Sequence, residues 1–311
     1  MKKNIKKFLV LFVALFLLTG CTKVLKDGKQ AVIYENKSVR LTLYQNILCQ
    51  PESKGLIKKY DEYKKKVDIS KLPKCDKFKV SDSKYEGLWE NLLVKPLAWI
   101  IVNANKFIGN YGVTIVLLGI LIRLILVPFS LKTIQQSENM KKMQPELDRL
   151  NKKYENKNDQ ESQQKKSMEM MQLYKKYKIN PLSSCLFALI QIPLIMAFYE
   201  AVNRVPVIFE GKLFGLVLGT TPMKAIAGGH WAYIIIVVLI AVTTFISMFM
   251  NKNTTPQQGM NPNVMPIMMT GMITFMALNL PVALSLYWIA STLFTIVQNL
   301  VMILIKKRKA E

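Results

Sequence analysis

Histidine is almost missing from this chain. His230 is the only one, and it falls beside Gly228 and Gly229 with no acid or nucleophile near it in sequence, a setting that argues against catalysis. Also missing are a glycine-rich phosphate loop, clustered metal ligands and a pair of carboxylates placed for a proton relay in apolar surroundings. No catalytic residue, cofactor or metal is therefore expected, and any work done must draw on hydrophobic transfer or the membrane potential. The cysteines, at positions 21, 49, 75 and 185, follow no metal-binding spacing. Acids are scarce, 20 against 43 Lys and Arg, and none lies in residues 113–131, the apolar run that contains Arg123. That last absence matters most. A charge at mid-membrane depth costs about 2.5–3.5 kcal/mol on insertion scales, so it persists only where it faces water, a partner or a bundle interior. A hydrated cationic cavity is the expected solution, and such a cavity invites something anionic.

What the chain does have is 51% hydrophobic residues gathered into long runs, with the charges gathered elsewhere, the pattern of an integral membrane protein. Residues 1–20 have a basic start and a short apolar stretch, too short for a comfortable span, and read as a secretory signal. Leu18-Thr19-Gly20-Cys21 matches a bacterial lipobox, which makes Cys21 a lipidation site; the alternative is an uncleaved anchor with an incidental cysteine. Residues 21–86 then form an extracytoplasmic segment. Residues 22–86 carry sixteen basic residues against nine acids. Behind a signal they face solvent, anionic lipid or wall polymer, so the net charge of +23 does not imply DNA binding. Cys49 and Cys75 fall where a disulfide is permitted, although the sequence does not show whether they approach.

Residues 113–131, 185–202, 232–250, 264–280 and 282–305 are five candidate spans. The polar stretch 132–182, with twelve basic and seven acidic residues, and the basic tail 306–311 belong in the cytoplasm by the positive-inside rule, and the parity of five spans agrees. Residues 87–110 read as a kinked amphipathic helix on the outer face, its Trp rings at headgroup level; a sixth span there would break the parity. Within 132–182 the polar turn 156–162 separates two helix-forming segments. Met140, Met143, Leu147, Leu150 and Tyr154 recur at helical spacing before it, and Met168, Met171, Leu173 and Tyr174 after it, which predicts a helical hairpin. Its methionines either offer an adaptable surface to clients or pack helix on helix. Asn180-Pro181 ends the second helix, and Ser183-Ser184 are placed to cap the next.

Neutral polar residues are scattered through the runs: Gln191, Thr243, Thr244, Ser247, Thr270, Ser285, Ser291, Thr292, Thr295, Gln298 and Asn299. Interhelical hydrogen bonding explains most of them. With Arg123, some are expected to line a wet groove, and Tyr287, Ser291 and Gln298 share one helical face. Tyr287 and Trp288 are alternatively interface-belt residues.

Arg123 with Pro128, the stretch 143–147 (Met-Gln-Pro-Glu-Leu) with Lys153-Tyr154, the segment 170–176, Asn180-Pro181-Leu182, Gln191-Ile192-Pro193, Phe198-Tyr199 and Leu286-Tyr287-Trp288 together resemble the YidC membrane-protein insertases. The likeness runs in order from Trp89 to Gln298, and the lipobox and short ectodomain resemble the Gram-positive lipoprotein branch. It implies an all-α integral membrane protein of five transmembrane helices, residues 111–305, around a hydrophilic groove, with a cytoplasmic helical hairpin and an outer interfacial amphipathic helix. The implied groove residues are Arg123, Gln191, Thr244, Ser247, Tyr287, Trp288, Ser291 and Gln298; Ser247 departs from a glutamine that some relatives place there. The implied partners are nascent membrane proteins, the Sec translocon, the ribosome or signal recognition particle pathway, and the lipid bilayer. The expected action is transient capture of a client's hydrophilic, often acidic segment while its apolar helix leaves sideways into lipid. An anion channel or transporter, which would pass solute, and a scaffold lipoprotein, which would tolerate loss of Arg123, are the competing readings.

Overall fold

The structure is a computed structural model that describes residues 22–36, 39–82, 87–157, 159–251 and 264–310. Cys21 and the signal segment lie outside the described residues. The chain is mostly helical, but the all-α expectation needs correcting: the described residues include three two-stranded antiparallel pairs. These are β1 (Lys26–Asp27) with β2 (Gln30–Ala31), β3 (Ile33–Asn36) with β4 (Val39–Thr42), and β5 (Lys212–Leu213) with β6 (Leu216–Val217). In β4 the side chains alternate between buried Val39 and Leu41 and outward Arg40 and Thr42, the two-residue period of a strand. The turn joining β5 and β6 has Phe214 and Gly215 both at positive φ, as a tight hairpin requires.

The chain divides into two compact units. The first comprises Met1–Gly119, Pro193–Val238 and Met276–Trp288. Its N-terminal part packs β3, β4 and the helix α1 (Lys54–Asp61) around Leu25, Leu41, Leu43, Leu56 and Tyr60, and Phe209 and Val217 enter the same core from far along the chain. Ser53 caps α1, its Oγ accepting from the Leu56 amide at 3.3 Å. Tyr60 is buried, and its hydroxyl donates to the Tyr44 carbonyl at 3.1 Å. A disulfide joins Cys49 to Cys75.

A π-helical turn, Glu90–Val94, then leads into α2 (Lys95–Ile108), which ends at Gly109 in the left-handed conformation. The chain bends there by 117° into α3 (Tyr111–Ile125). Leu88, Leu92, Trp99, Ile100 and Phe107 are exposed along this segment. Trp89, expected at headgroup level, is instead buried, because its indole Nε1 donates to Glu200 at 3.0 Å.

In the second unit, Ile120–Ile192, Leu239–Phe275 and Ile289–Glu311, the apolar run 113–131 is interrupted. A turn at Leu126 separates α3 from α4 (Val127–Lys153), where Pro128 occupies the first turn and so forfeits no helical hydrogen bond. Helix α4 and α5 (Gln160–Lys176, capped by Asp159) form the hairpin. Met140, Met143, Leu147, Leu150 and Tyr154 pack its core as their spacing predicted. On α5, however, Met170, Leu173 and Tyr174 face inward, joined by Tyr177, while Met168 and Met171 point outward. Residues 170, 173, 174 and 177 follow the 3.6-residue period, and 168 and 171 fall off that stripe.

Helix α6 (Pro181–Arg204) already begins at Pro181, so Ser183 and Ser184 lie inside it rather than at its cap. It is followed by the short α7 (Pro206–Phe209), α8 (Pro222–Ala227), α9 (Ile234–Met250), α10 (Val264–Ala277) and α11 (Val282–Ala310). Among the described residues, Trp231–Met250 and Val282–Ile305 are long and apolar enough to cross a membrane, and the bent pair Glu90–Ile108 and Tyr111–Ile125 would make a third. The described part of α10 ends at Ala277, before Pro281, and at 1.5 Å per residue is shorter than the ~30 Å hydrocarbon layer.

Replacing Cys49 and Cys75 by Ala is expected to weaken the N-terminal module by about 3 kcal/mol through loss of loop closure, read as faster proteolysis of the full-length protein. In the hairpin, Lys176 and then Tyr177 hold the Glu146 carboxyl below its usual range, and Lys153 and Tyr154 do the same for Glu169. Depressed carboxyls contribute stability above the ordinary glutamate pKa of about 4.3 and lose it as pH falls through the lowered value. Hairpin packing should therefore loosen only below about pH 4, modestly because these pairs are exposed, and Glu146→Gln with Glu169→Gln should flatten that dependence in hydrogen exchange.

Candidate functional site

Arg123 lies in the last turn of α3, half-buried, and its Nε donates a hydrogen bond to Ser291 Oγ on α11. Seven residues further along the same face of α11, Gln298 Nε2 donates to Ser130 Oγ on α4 at 2.6 Å. The Ser130 hydroxyl in turn donates to the Val127 carbonyl at 2.9 Å. Two polar contacts about two helical turns apart thus attach α11 to α3 and α4 within apolar stretches. A third contact links α11 to α9, where Thr292 Oγ1 lies 3.1 Å from Thr243 Oγ1, both buried. Thr244 is buried, while Ser247 and Gln191 are half-buried.

The chemistry of the Arg123 contact is specific. A guanidinium is a permanent, weakly hydrated cation with donors arranged in a planar fork. The serine hydroxyl satisfies one of those donors and brings no charge of its own, and the Coulombic interactions of a guanidinium are several times stronger in a partly dehydrated site than in bulk water.

Tyr287 and Trp288 belong to the first unit, whereas the other six expected groove residues belong to the second. Tyr287 is fully buried, its ring stacked on Phe198 with centroids 4.8 Å apart, which removes it from an interface belt and places it in a packed core. Trp288 is half-buried.

Sequence reasoning overlooked a charged cluster in the first unit. Glu90, Lys95, Glu200 and Arg204 are all buried. Arg204 Nη2 bonds Glu90 Oε1, and Arg204 Nη1 lies 3.9 Å from Glu200 Oε2. Lys95 Nζ donates to Asn91 Oδ1 at 2.7 Å. Two signals were available: Glu200 falls inside the apolar run 185–202, and Arg204 follows it by four residues, on the same helical face.

A family model described as 60Kd inner membrane protein matches residues 103–309. Among curated proteins, membrane protein insertase YidC 2 of Listeria innocua is 35% identical over 215 residues, covering 69% of this chain and 71% of that one. Membrane protein insertase MisCA of Bacillus subtilis is 38% identical over 216 residues, 68% and 77% of the two chains. A solved structure of an active YidC insertase with its first transmembrane domain resolved superposes with a TM-score of 0.51 at 23% identity, covering 80% of this chain and 51% of that one, a likeness of fold.

Because Arg123 is only half-buried, water can replace the serine hydroxyl. Ser291→Ala is expected to cost less than about 1 kcal/mol, whereas Ser291→Leu, which puts an apolar side chain against the guanidinium, should cost clearly more. Thermal unfolding of the detergent-solubilised protein separates the two.

Proposed function

The chain belongs to the YidC family of membrane protein insertases, and from that premise we propose that Arg123 is the client-capturing charge of a groove formed with Gln191, Thr244, Ser247, Ser291 and Gln298. The protein is a multi-pass bacterial membrane protein that inserts other membrane proteins without enzymatic chemistry, so nascent membrane proteins are its clients. In the proposed mechanism a client's hydrophilic, often acidic segment enters the groove and is held transiently by the guanidinium. Its apolar helix meanwhile leaves sideways into lipid. Burial of that helix supplies about 25 cal/mol per Å², and the membrane potential assists outward movement of negative charge by about 2.3 kcal/mol per charge per 100 mV.

The observation that carries this reading is the hydrogen bond from Arg123, inside the apolar run 113–131, to a neutral hydroxyl on α11. Tyr287 and Trp288 complete the proposal as residues that set the packing of the first turns of α11, Tyr287 by its stacking on Phe198.

The finer topology belongs to the same proposal. Five helices surround the groove; residues 87–110 lie on the outer surface, in keeping with their exposed apolar side chains; the hairpin and basic tail are cytoplasmic and meet the ribosome, the signal recognition particle pathway or the Sec translocon; and Cys21, lipidated, anchors the N-terminus outside. The outward Met168 and Met171 supply an adaptable apolar contact on the hairpin.

Arg123→Ala should impair insertion of clients with acidic translocated tails while sparing those with neutral tails, measured as protease protection of a translated client in proteoliposomes. Arg123→Lys should restore most of the activity if positive charge is what the groove supplies. Insertion indifferent to both substitutions for every client would remove the basis of the proposal.

A further inference from the structure

We propose that Arg204 is a positioning residue that fastens the N-terminal segment onto the insertase core and keeps the first unit sealed against ions. The proposal rests on the orientation adopted above, with that segment outside.

Among the described residues of the first unit, four charged side chains are buried: Glu90 at 2% exposure, Lys95 at 0%, Glu200 at 3% and Arg204 at 1%. Two are acids and two are bases, so the set is formally neutral. Charges this deep persist only when compensated in place, and removing one member leaves another uncompensated. Arg204 is the hub. Its Nη2 bonds Glu90 in the π-helical turn before α2, its Nη1 lies 3.9 Å from Glu200, and its Nε donates to the Asn46 carbonyl at 2.6 Å. Its own carbonyl accepts from the Leu48 amide at 2.8 Å. One residue at the end of α6 thus holds the backbone on both sides of Ile47 and the approach to α2.

The matched family region begins at residue 103, so Asn46, Leu48 and Glu90 precede it while Glu200 and Arg204 lie within it. Arg204 therefore joins the segment outside the family match to the family core. The same junction includes Thr220 Oγ1 donating to the Arg40 carbonyl at 3.0 Å and Lys224 Nζ donating to Thr42 Oγ1 at 2.6 Å. Phe209 and Val217 also pack into the core of the N-terminal module. These neighbours hold the segment in place, and the Arg204 cluster gathers the fully buried charges among the described residues of the first unit. Without Arg204, that set holds two acids and one base, and the net negative charge draws in water and cations.

Sealing and insertion are read separately in proteoliposomes of the full-length protein, by leak of a small cation and by protease protection of a client. Arg204→Gln is expected to raise the leak several-fold. Arg204→Gln combined with Glu90→Gln, which restores neutrality, is expected to bring it back to the wild-type level. A merely structural role predicts the opposite order, with the double variant worse than the single. Should Arg204→Gln fail to fold, Glu90→Gln alone unbalances the set in the positive sense, and the proposal requires it to raise the leak of a small anion several-fold above wild type. A leak unchanged in the folded single variants, or equal in single and double variants, overturns the proposal. Arg123→Ala in the same vesicles is the control for the groove: loss of insertion without leak supports that reading, and its failure leaves the Arg204 result standing.

Discussion

Charge among apolar helices has to be compensated where it sits, and this protein does so in two chemically different ways. In the first unit, acids and bases are buried together, so a guanidinium at the end of α6 meets carboxylates from the approach to α2 and from its own helix. In the second, Arg123 donates one hydrogen bond to a hydroxyl. Paired opposite charges form a contact that is stiff and intolerant of change, because neither partner can leave without stranding the other. A hydroxyl contact is weaker and exchangeable, since water offers an equivalent acceptor. The first kind of contact favours rigidity, and the second lets one partner be replaced.

The same division runs through the rest of the molecule. The N-terminal module is strengthened by a disulfide, a capped helix and an apolar core completed by Phe209 and Val217. The helical hairpin depends on a narrow seam of methionine, leucine and tyrosine, laced by exposed Lys–Glu pairs of small individual worth. Its two outward methionines leave it with an apolar surface that its own packing does not consume.

Much was legible before any coordinates. Arg123 stood out because one cation in a long apolar run has few physical solutions, and the hairpin stood out because five residues of α4 repeat at helical spacing. The partner stripe on α5 was harder, since Met168, Met170 and Met171 are chemically alike and only the register of the helix on its neighbour selects Met170. The short strands escaped notice because pairs of two to four residues carry almost no periodic signal. Glu200 was hidden by the apolar residues around it, and Tyr287, grouped with Ser291 by spacing, is buried against Phe198.

Membrane residence, helical character, the absence of catalytic chemistry and the prominence of Arg123 were determined by sequence, because each follows from residue type and local spacing. The tertiary structure decided which polar groups meet: Arg123 with Ser291, Gln298 with Ser130, Arg204 with Glu90, Cys49 with Cys75. These contacts join residues far apart in the chain, and a contact of that kind depends on how helices pack and turn against one another, which a linear pattern does not encode.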